Sequence, residues 1–167
     1  MLTDSGPKAS TFVYEFFIDE DFVIPQIMTL PGFYIESDIN EFRLFRPKIT
    51  NGEIFMNTNK CDFCNQLNQN APFGTLTKGE WIKVEQRVRL NDPNESNGEY
   101  IIFLNGIEVL RRDDLSDMLP SEGAFRIAAA RMWTMVNKPA LESPSSIYYR
   151  QVSVKRFVSS DPLRLIY

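Results

Sequence analysis

The side chains that could act as acids and bases in this chain form a restricted set. Its 167 residues include no histidine, so histidine-based catalytic triads and histidine-ligated zinc are excluded. A general base would have to be a tyrosine, a lysine or a carboxylate. Tyr148 and Tyr149, which are adjacent near the C-terminus, are the candidate bases if the chain is an enzyme.

Three cationic side chains lie close together in the first third of the chain. Arg43, Arg46 and Lys48 could neutralise a carboxylate or another anion. Successive side chains of a strand point to opposite faces, so Arg43 would lie on one face and Arg46 and Lys48 on the other. A single patch of all three would require a bulge near Pro47. The alternative is that the three charges are solvated, with one surface ion pair.

A second cationic candidate lies between Gly123 and Val136, where Arg126 shares its strand parity with Ala128 and Ala130. Small side chains beside an arginine could form the floor of a shallow groove. The alternative is close packing against another layer. Three consecutive alanines would also suit a helix, but the glycine before them and the neighbouring predicted strands favour a strand.

The large aromatic side chains have two interpretations. Trp81, Trp133, Tyr148 and Tyr149 could stack on sugar rings, whose axial C–H faces are apolar. Large aromatic rings are more often part of a hydrophobic core, because they have so much surface to bury. The sequence leaves both uses open.

Two short motifs could hold a metal ion, but both have simpler interpretations. Cys61 and Cys64 form a lone CxxC without the further ligands that a structural zinc site needs. A redox CxxC would normally begin a helix in a βαβ unit, so a local disulfide or two free thiols are favoured. The acidic run Asp19–Asp21 lacks the glycine and later glutamate of a calcium loop, and favours a solvated turn. We predict no metal and no cofactor.

The elements that would position these residues are strands. The segment Trp81 to Arg112 predicts three of them: Ile82, Val84, Val88 and Leu90 alternate with charged residues, and Asn105-Gly106 has hairpin chemistry. Asn51-Gly52 predicts a second hairpin, whereas the apolar, proline-containing residues 22–34 read as a loop. Further strands are predicted at Thr11–Ile18, Glu41–Arg46, Glu53–Asn57, Gly123–Val136 and Ile147–Val158.

Short strands separated by turns predict an all-β fold, a single, mostly antiparallel β-sandwich of jelly-roll type. We assign residues 11–158 to this domain, residues 1–10 to a polar lead-in and residues 159–167 to a C-terminal tail.

The central segment resembles the family-14 polysaccharide lyases and the related glucuronan lyases. The resemblance rests on Trp81, on the heptapeptide EQRVRLN at residues 85–91, on Asn105-Gly106 and on Glu108–Leu110, and it extends over most of residues 12–157. It implies a jelly roll and a polyuronate ligand. The family cleaves polyuronates by β-elimination, with a lysine in a GGKLPG segment, a Ser-x-Arg pair and a Tyr-x-Tyr pair.

Most of these functional side chains have no counterpart in this chain. LPG is retained at Leu30–Gly32, but Thr29 replaces the lysine. Arg43 retains the arginine of the Ser-x-Arg pair. The remaining three positions carry Glu41, Phe55 and Asn57. The resemblance therefore implies a lyase-like domain that has lost the known mechanism.

Composition restricts the partners. A net charge of −4 disfavours nucleic acid and anionic membranes as partners, and counts mildly against a polyuronate as well. No apolar run could span a bilayer, and the N-terminal residues do not resemble a signal peptide. The compartment is left unassigned.

Three functions remain, and the balance favours a protein that is not an enzyme. The first is a non-catalytic domain that binds an acidic glycan, through Arg43, Arg126, Trp133 and Tyr149, or serves as a structural module. The second is an active polyuronate lyase with relocated residues, in which Tyr148 or Tyr149 is the base and Arg43 or Arg126 neutralises the carboxylate. The third is an assembly protein that binds a protein partner or a second copy through the sandwich surface.

Overall fold

The computed structural model describes residues 9–24, 27–37, 42–59, 71–92, 94–116, 125–131 and 147–157. All regular elements in these residues are strands, which confirms the predicted all-β fold. They are β1 (Ala9–Ile18), β2 (Met28–Thr29), β3 (Gly32–Ser37), β4 (Phe42–Thr50), β5 (Glu53–Asn59), β6 (Gly74–Thr75), β7 (Trp81–Arg89), β8 (Gly98–Leu104), β9 (Ile107–Leu115), β10 (Phe125–Arg131) and β11 (Ile147–Phe157). No helix in the described residues could cross a membrane.

The strands form two antiparallel sheets. Sheet A has the order β11-β1-β7-β8-β9, and sheet B has the order β10-β3-β4-β5-β6, with β2 also paired to β4. Strands that are distant in sequence are therefore neighbours, as β1 is of both β7 and β11. This is the sandwich architecture predicted from the pattern of short strands.

The core lies between the sheets and is built by alternation. On β1, Phe12, Tyr14 and Phe16 are fully buried while the residues between them are partly exposed. Sheet B contributes Ile49 and Ile54, which are register partners on β4 and β5 and are also fully buried. Burial alternates with period 2 along β1 and β7, so these strands of sheet A have one core face and one outward face.

Both predicted hairpin turns are confirmed. Asn51 and Gly52 have φ values of 52° and 81°, and Asn105 and Gly106 have 50° and 82°. Positive φ at both central residues is the geometry of a type I′ turn, which matches the twist of the flanking strands. The Asn105 side chain also accepts a hydrogen bond from the backbone N–H of Lys83 at 2.8 Å.

The apolar segment that reads as a loop in the sequence contains two strands. β2 lies within it, and β3 begins at Gly32 and continues to Ser37. Of the predicted strand at Gly123–Val136, the structure describes β10; Cys61 and Cys64 lie outside the described residues. The proposed domain boundaries stay predictions.

Candidate functional site

The outward face of sheet B is built by β2, β4 and β5. Thr29 is the register partner of Lys48, and Lys48 is the partner of Phe55. Directly opposed residues of antiparallel strands point to the same side. Since the adjacent pair Ile49 and Ile54 is in the core, the row of Thr29, Lys48 and Phe55 lies on the side away from it.

Arg46 extends this row along β4. The register from Leu44 to Thr50 runs without a shift, so Arg46 and Lys48 share a face and no bulge occurs at Pro47. Arg46 is only 5% exposed, and burial lowers its pKa from its ordinary value. An arginine nevertheless remains protonated in proteins. A guanidinium held in a region of reduced dielectric attracts a carboxylate more strongly than one in water.

The two cations differ in their surroundings. Lys48 is partly exposed, and its Nζ lies 5.7 Å from the centroid of the Phe55 ring, within the range of a cation–π contact. Thr29 is 4% exposed although it points away from the core, and both Thr29 and Arg46 have further interactions within the chain. On this face Thr29 and Arg46 are therefore buried, whereas Lys48 and Phe55 are partly exposed. We call Thr29, Arg46, Lys48 and Phe55 the Lys48 face.

A buried polar network holds the corner next to the Lys48 face. The Tyr14 hydroxyl and the Gln86 Nε2 both donate to the Pro31 carbonyl, at 3.1 and 2.8 Å, and the Tyr100 hydroxyl donates to the Gln86 Oε1 at 2.8 Å. Burial raises the pKa of Tyr14 and of Tyr100 well above the ordinary value. The corner is also joined to β4, because the Leu30 N–H donates to the Pro47 carbonyl at 2.9 Å. The network therefore fixes the residues that follow Thr29.

Three of the predicted binding residues can be placed only by backbone position, or not at all. Arg43 lies on β4 opposite Ile35, and Arg126 lies on β10 opposite Glu36. The side chains of both arginines are outside the described part of the structure, as is the whole of Trp133. Their roles stay predictions.

The two candidate tyrosines lie on β11 in sheet A, whereas Arg43 lies in sheet B. Tyr149 pairs with Phe16 and packs against the core, with its ring centroid 6.0 Å from that of Tyr14. Tyr148 points to the outward face of sheet A and is 49% exposed. The core therefore separates Tyr148 from the Lys48 face, and Tyr149 points into the core rather than onto that face.

The acidic turn after β1 contacts an exposed lysine of the same chain. Lys78 Nζ donates to the carbonyl oxygens of Glu20 and Phe22, at 2.8 and 3.0 Å. Among the residues that the structure describes, no group of three acidic or cysteine side chains is placed to hold a metal ion.

The family model for polysaccharide lyase 14 matches residues 44–134, which is more than half of the chain. The chain belongs to polysaccharide lyase family 14. The match confirms the resemblance carried by residues 81–110, and it includes Arg46, Lys48, Phe55 and Gln86. It begins after Thr29. No curated protein matches the sequence.

Solved structures of lyases share the fold. The family-14 alginate lyase from Aplysia kurodai has a TM-score of 0.69 at 11% identity, over 91% of this chain and 71% of that one. The endo-β-1,4-glucuronan lyase from the fungus Trichoderma reesei gives 0.63 at 12% identity, over 90% and 69%. A mutant of alginate lyase Aly36B, in complex with alginate tetrasaccharide, gives 0.64 at 15% identity, over 90% and 70%.

The sequence by itself gives little indication of the Lys48 face. The family resemblance points to Arg43, whereas the sequence marks Arg46 and Lys48 only as candidate members of one cationic patch. Arg46 and Lys48 are two residues apart, so the sequence places them on the same side of a regular strand. The unbroken register of β4 and β5 confirms that they share a face. Phe55, at a position where the family has a tyrosine, lies on that same face.

Proposed function

We propose that this family-14 chain binds an acidic polysaccharide of the polyuronate class on the Lys48 face and does not cleave it. The observation that carries the proposal is the row in which Lys48 stands between Thr29 and Phe55, with Arg46 beside it. Two of these side chains are cationic, and neither of the others is a proton-transferring group near neutral pH.

Electrostatics supports binding at this place. The chain as a whole carries a net charge of −4, so a polyanion needs a local cationic region. Lys48 is partly exposed and presents a cation that a carboxylate can reach. Arg46 is 5% exposed, so its guanidinium adds positive charge from beneath the surface. The similar lyases named above act on or hold alginate and glucuronan, which are polyuronates. A uronate carboxylate is thus the group that we place against Lys48, with the buried guanidinium of Arg46 on the same face of β4.

The same row argues against elimination. β-Elimination requires a group that neutralises the carboxylate, a base that removes the C5 proton, and an acid that protonates the leaving oxygen. The two cations serve the first task. Phe55 has no proton to accept or donate, and Thr29 is not a cation. The described part of this face therefore supplies recognition of a uronate without the acid–base pair.

Binding is tested by calorimetric titration with oligosaccharides from alginate and from glucuronan, and with a cello-oligosaccharide as the neutral ligand. We expect the acidic ligands to bind and the neutral one not to. Lys48→Ala should weaken binding about tenfold, since it removes a charge-assisted contact of about 1.4 kcal/mol. Arg112→Ala is the matched control, because it also removes one positive charge, but from an exposed ion pair on β9. Equal losses in the two variants would remove the Lys48 face from the proposal.

Cleavage is tested with the same polymers by the ultraviolet absorbance of an unsaturated uronate product. We expect none from the unaltered chain. A variant that combines Thr29→Lys, Phe55→Tyr and Asn57→Tyr restores the three side chains that the family resemblance implies, and product formation by this variant would support the assignment of the face. Product formation by the unaltered chain would show instead that the chain is a lyase.

A further inference from the structure

Three aromatic side chains form a row on the outward face of sheet A. Phe17 on β1 is the register partner of Trp81 on β7 and of Tyr148 on β11, with ring centroids 5.5 and 6.0 Å away. The neighbouring residues Phe16 and Ile82 are buried in the core, so the row points the other way. We call Phe17, Trp81 and Tyr148 the Tyr148 row.

A cation is fixed beside this row. The guanidinium carbon of Arg150 lies 3.9 Å from the centroid of the Trp81 ring, and its Nε donates to the Glu15 Oε2 at 2.6 Å. The Arg150 side chain is 48% exposed. Guanidinium has five N–H donors, so the bond to Glu15 leaves others directed at solvent. The exposed Lys83 is the register partner of Glu15, so Arg150, Lys83 and Glu15 together carry two positive charges and one negative.

We propose that the Tyr148 row is a second binding site for an acidic polysaccharide, separate from the Lys48 face. The apolar C–H face of a uronate ring stacks on Tyr148, beside Phe17, and its carboxylate meets Arg150. The inference goes beyond the proposed function, because it concerns the other sheet and stands whether or not the Lys48 face binds.

The exposure and charge of the row decide between binding and simple sheet stabilisation. Cross-strand aromatic pairs do stabilise a sheet, and the pair of Phe17 and Trp81 can be explained in this way. Tyr148 is different, since 49% of it is exposed on the last described strand of the sheet. A large ring that remains in water contributes little to burial. The exposed ring matches the apolar C–H face of a uronate, and the guanidinium beside it is opposite in charge to the carboxylate of the uronate.

The geometry of the sandwich makes the two sites independent for a short ligand. The Tyr148 row and the Lys48 face are on opposite outer sides of sheets that pack about 10 Å apart. An oligosaccharide lying on one sheet cannot reach the other. Each chain should therefore bind two short ligands.

The experiment is calorimetric titration of the full chain with uronate tetrasaccharides from alginate and glucuronan. We expect two ligands per chain for the unaltered protein and for Tyr148→Phe, which retains the ring. Tyr148→Ala should weaken one of the two sites at least about fivefold. Ile107→Ala is the control, since it truncates a side chain that is 69% exposed at the other edge of sheet A. Circular dichroism verifies that each variant is folded.

The outcomes separate this inference from the proposed function. If only Lys48→Ala loses a site and Tyr148→Ala binds as Tyr148→Phe does, the Tyr148 row is not a binding site. If only Tyr148→Ala loses a site, the inference stands and the Lys48 face fails. A chain that binds neither tetrasaccharide overturns both. Equal binding of a cello-oligosaccharide at the row would overturn its assignment to acidic glycans, and Arg150→Gln should then have no effect.

Discussion

At the scale of single residues, the most informative side chain is Gln86. It interrupts the apolar face of β7, and the sequence gives no reason for a polar residue between Val84 and Val88. The structure supplies one, because the amide accepts from Tyr100 and donates to the Pro31 carbonyl. A buried polar group is tolerated when all its partners are present. Gln86 thus connects two segments of the family resemblance, EQRVRLN and LPG, by a direct contact.

Gln86→Met should lower the free energy of unfolding by about 2 kcal/mol, since the Tyr100 hydroxyl loses its acceptor and Pro31 loses one donor. Urea denaturation followed by fluorescence measures the difference. Thr77→Ala, at an exposed position, should change stability by less than about 0.5 kcal/mol. A Gln86→Met protein as stable as the unaltered chain would contradict the role of the network.

The same network predicts alkaline instability. Burial raises the pKa of Tyr14 and Tyr100 in the folded state, so their neutral forms stabilise the fold at every pH below the ordinary tyrosine pKa of about 10. As the pH rises past that value, the unfolded chain releases protons that the folded chain retains, and stability falls. Tyr100→Phe should show a smaller fall over the same range. Stability that is constant above pH 10 would exclude this effect.

At the scale of elements, a strand can be predicted from the sequence when the residues that specify it lie close together along the chain. The unit β7–β8–β9 and its turn follow from alternation and from Asn105-Gly106, which are visible within a few residues. β2 and β3 are not evident from the sequence because Pro25 and Pro31-Gly32 interrupt the apolar segment, and pairing with β4 and β10 holds these strands. Period-2 alternation identifies the two faces of β4, but only pairing with β5 decides which of them is outward.

Gly106→Ala should cost about 1 to 2 kcal/mol of stability, because a side chain at φ 82° is strained. An added Cβ would meet nothing within 4 Å, so the cost arises from the backbone alone. Thermal unfolding, analysed at a common temperature, measures it. Asn105→Gly is the comparison variant, because glycine adopts the turn geometry without strain but lacks the side chain that accepts the hydrogen bond from the Lys83 N–H. An unchanged Gly106→Ala protein would mean that the turn relaxes without penalty.

At the scale of the whole molecule, the sandwich places two cationic surfaces on opposite sides. The sequence predicted the fold from strand patterning, and it predicted the family from Trp81, EQRVRLN, Asn105-Gly106 and Glu108–Leu110 together. It could not locate the surfaces, because strands that follow one another along the chain, such as β6 and β7, lie in different sheets.

A molecule with two sites on opposite sides should cross-link a long polyuronate. We expect the unaltered chain to produce sedimenting complexes with long alginate, because each protein can join two polymer chains. Lys48→Ala and Tyr148→Ala should each reduce sedimentation, because each substitution weakens one of the two sites and leaves the other unaltered. Light scattering across a range of protein-to-polymer ratios measures the formation of these cross-linked complexes. Cross-linking by either variant at the level of the unaltered chain would contradict a two-sided arrangement.

The buried network also determines how the protein opens. Tyr14, Gln86 and Tyr100 belong to sheet A, whereas the Pro31 carbonyl that they support belongs to the corner of sheet B. Separating the sheets would leave the buried donors and the Pro31 carbonyl without partners at the same time. The free-energy cost of opening therefore cannot be divided among separate movements of single strands. The backbone amides of β3 and β7 should therefore exchange their hydrogens with solvent together, through global unfolding, as parts of one cooperative unit.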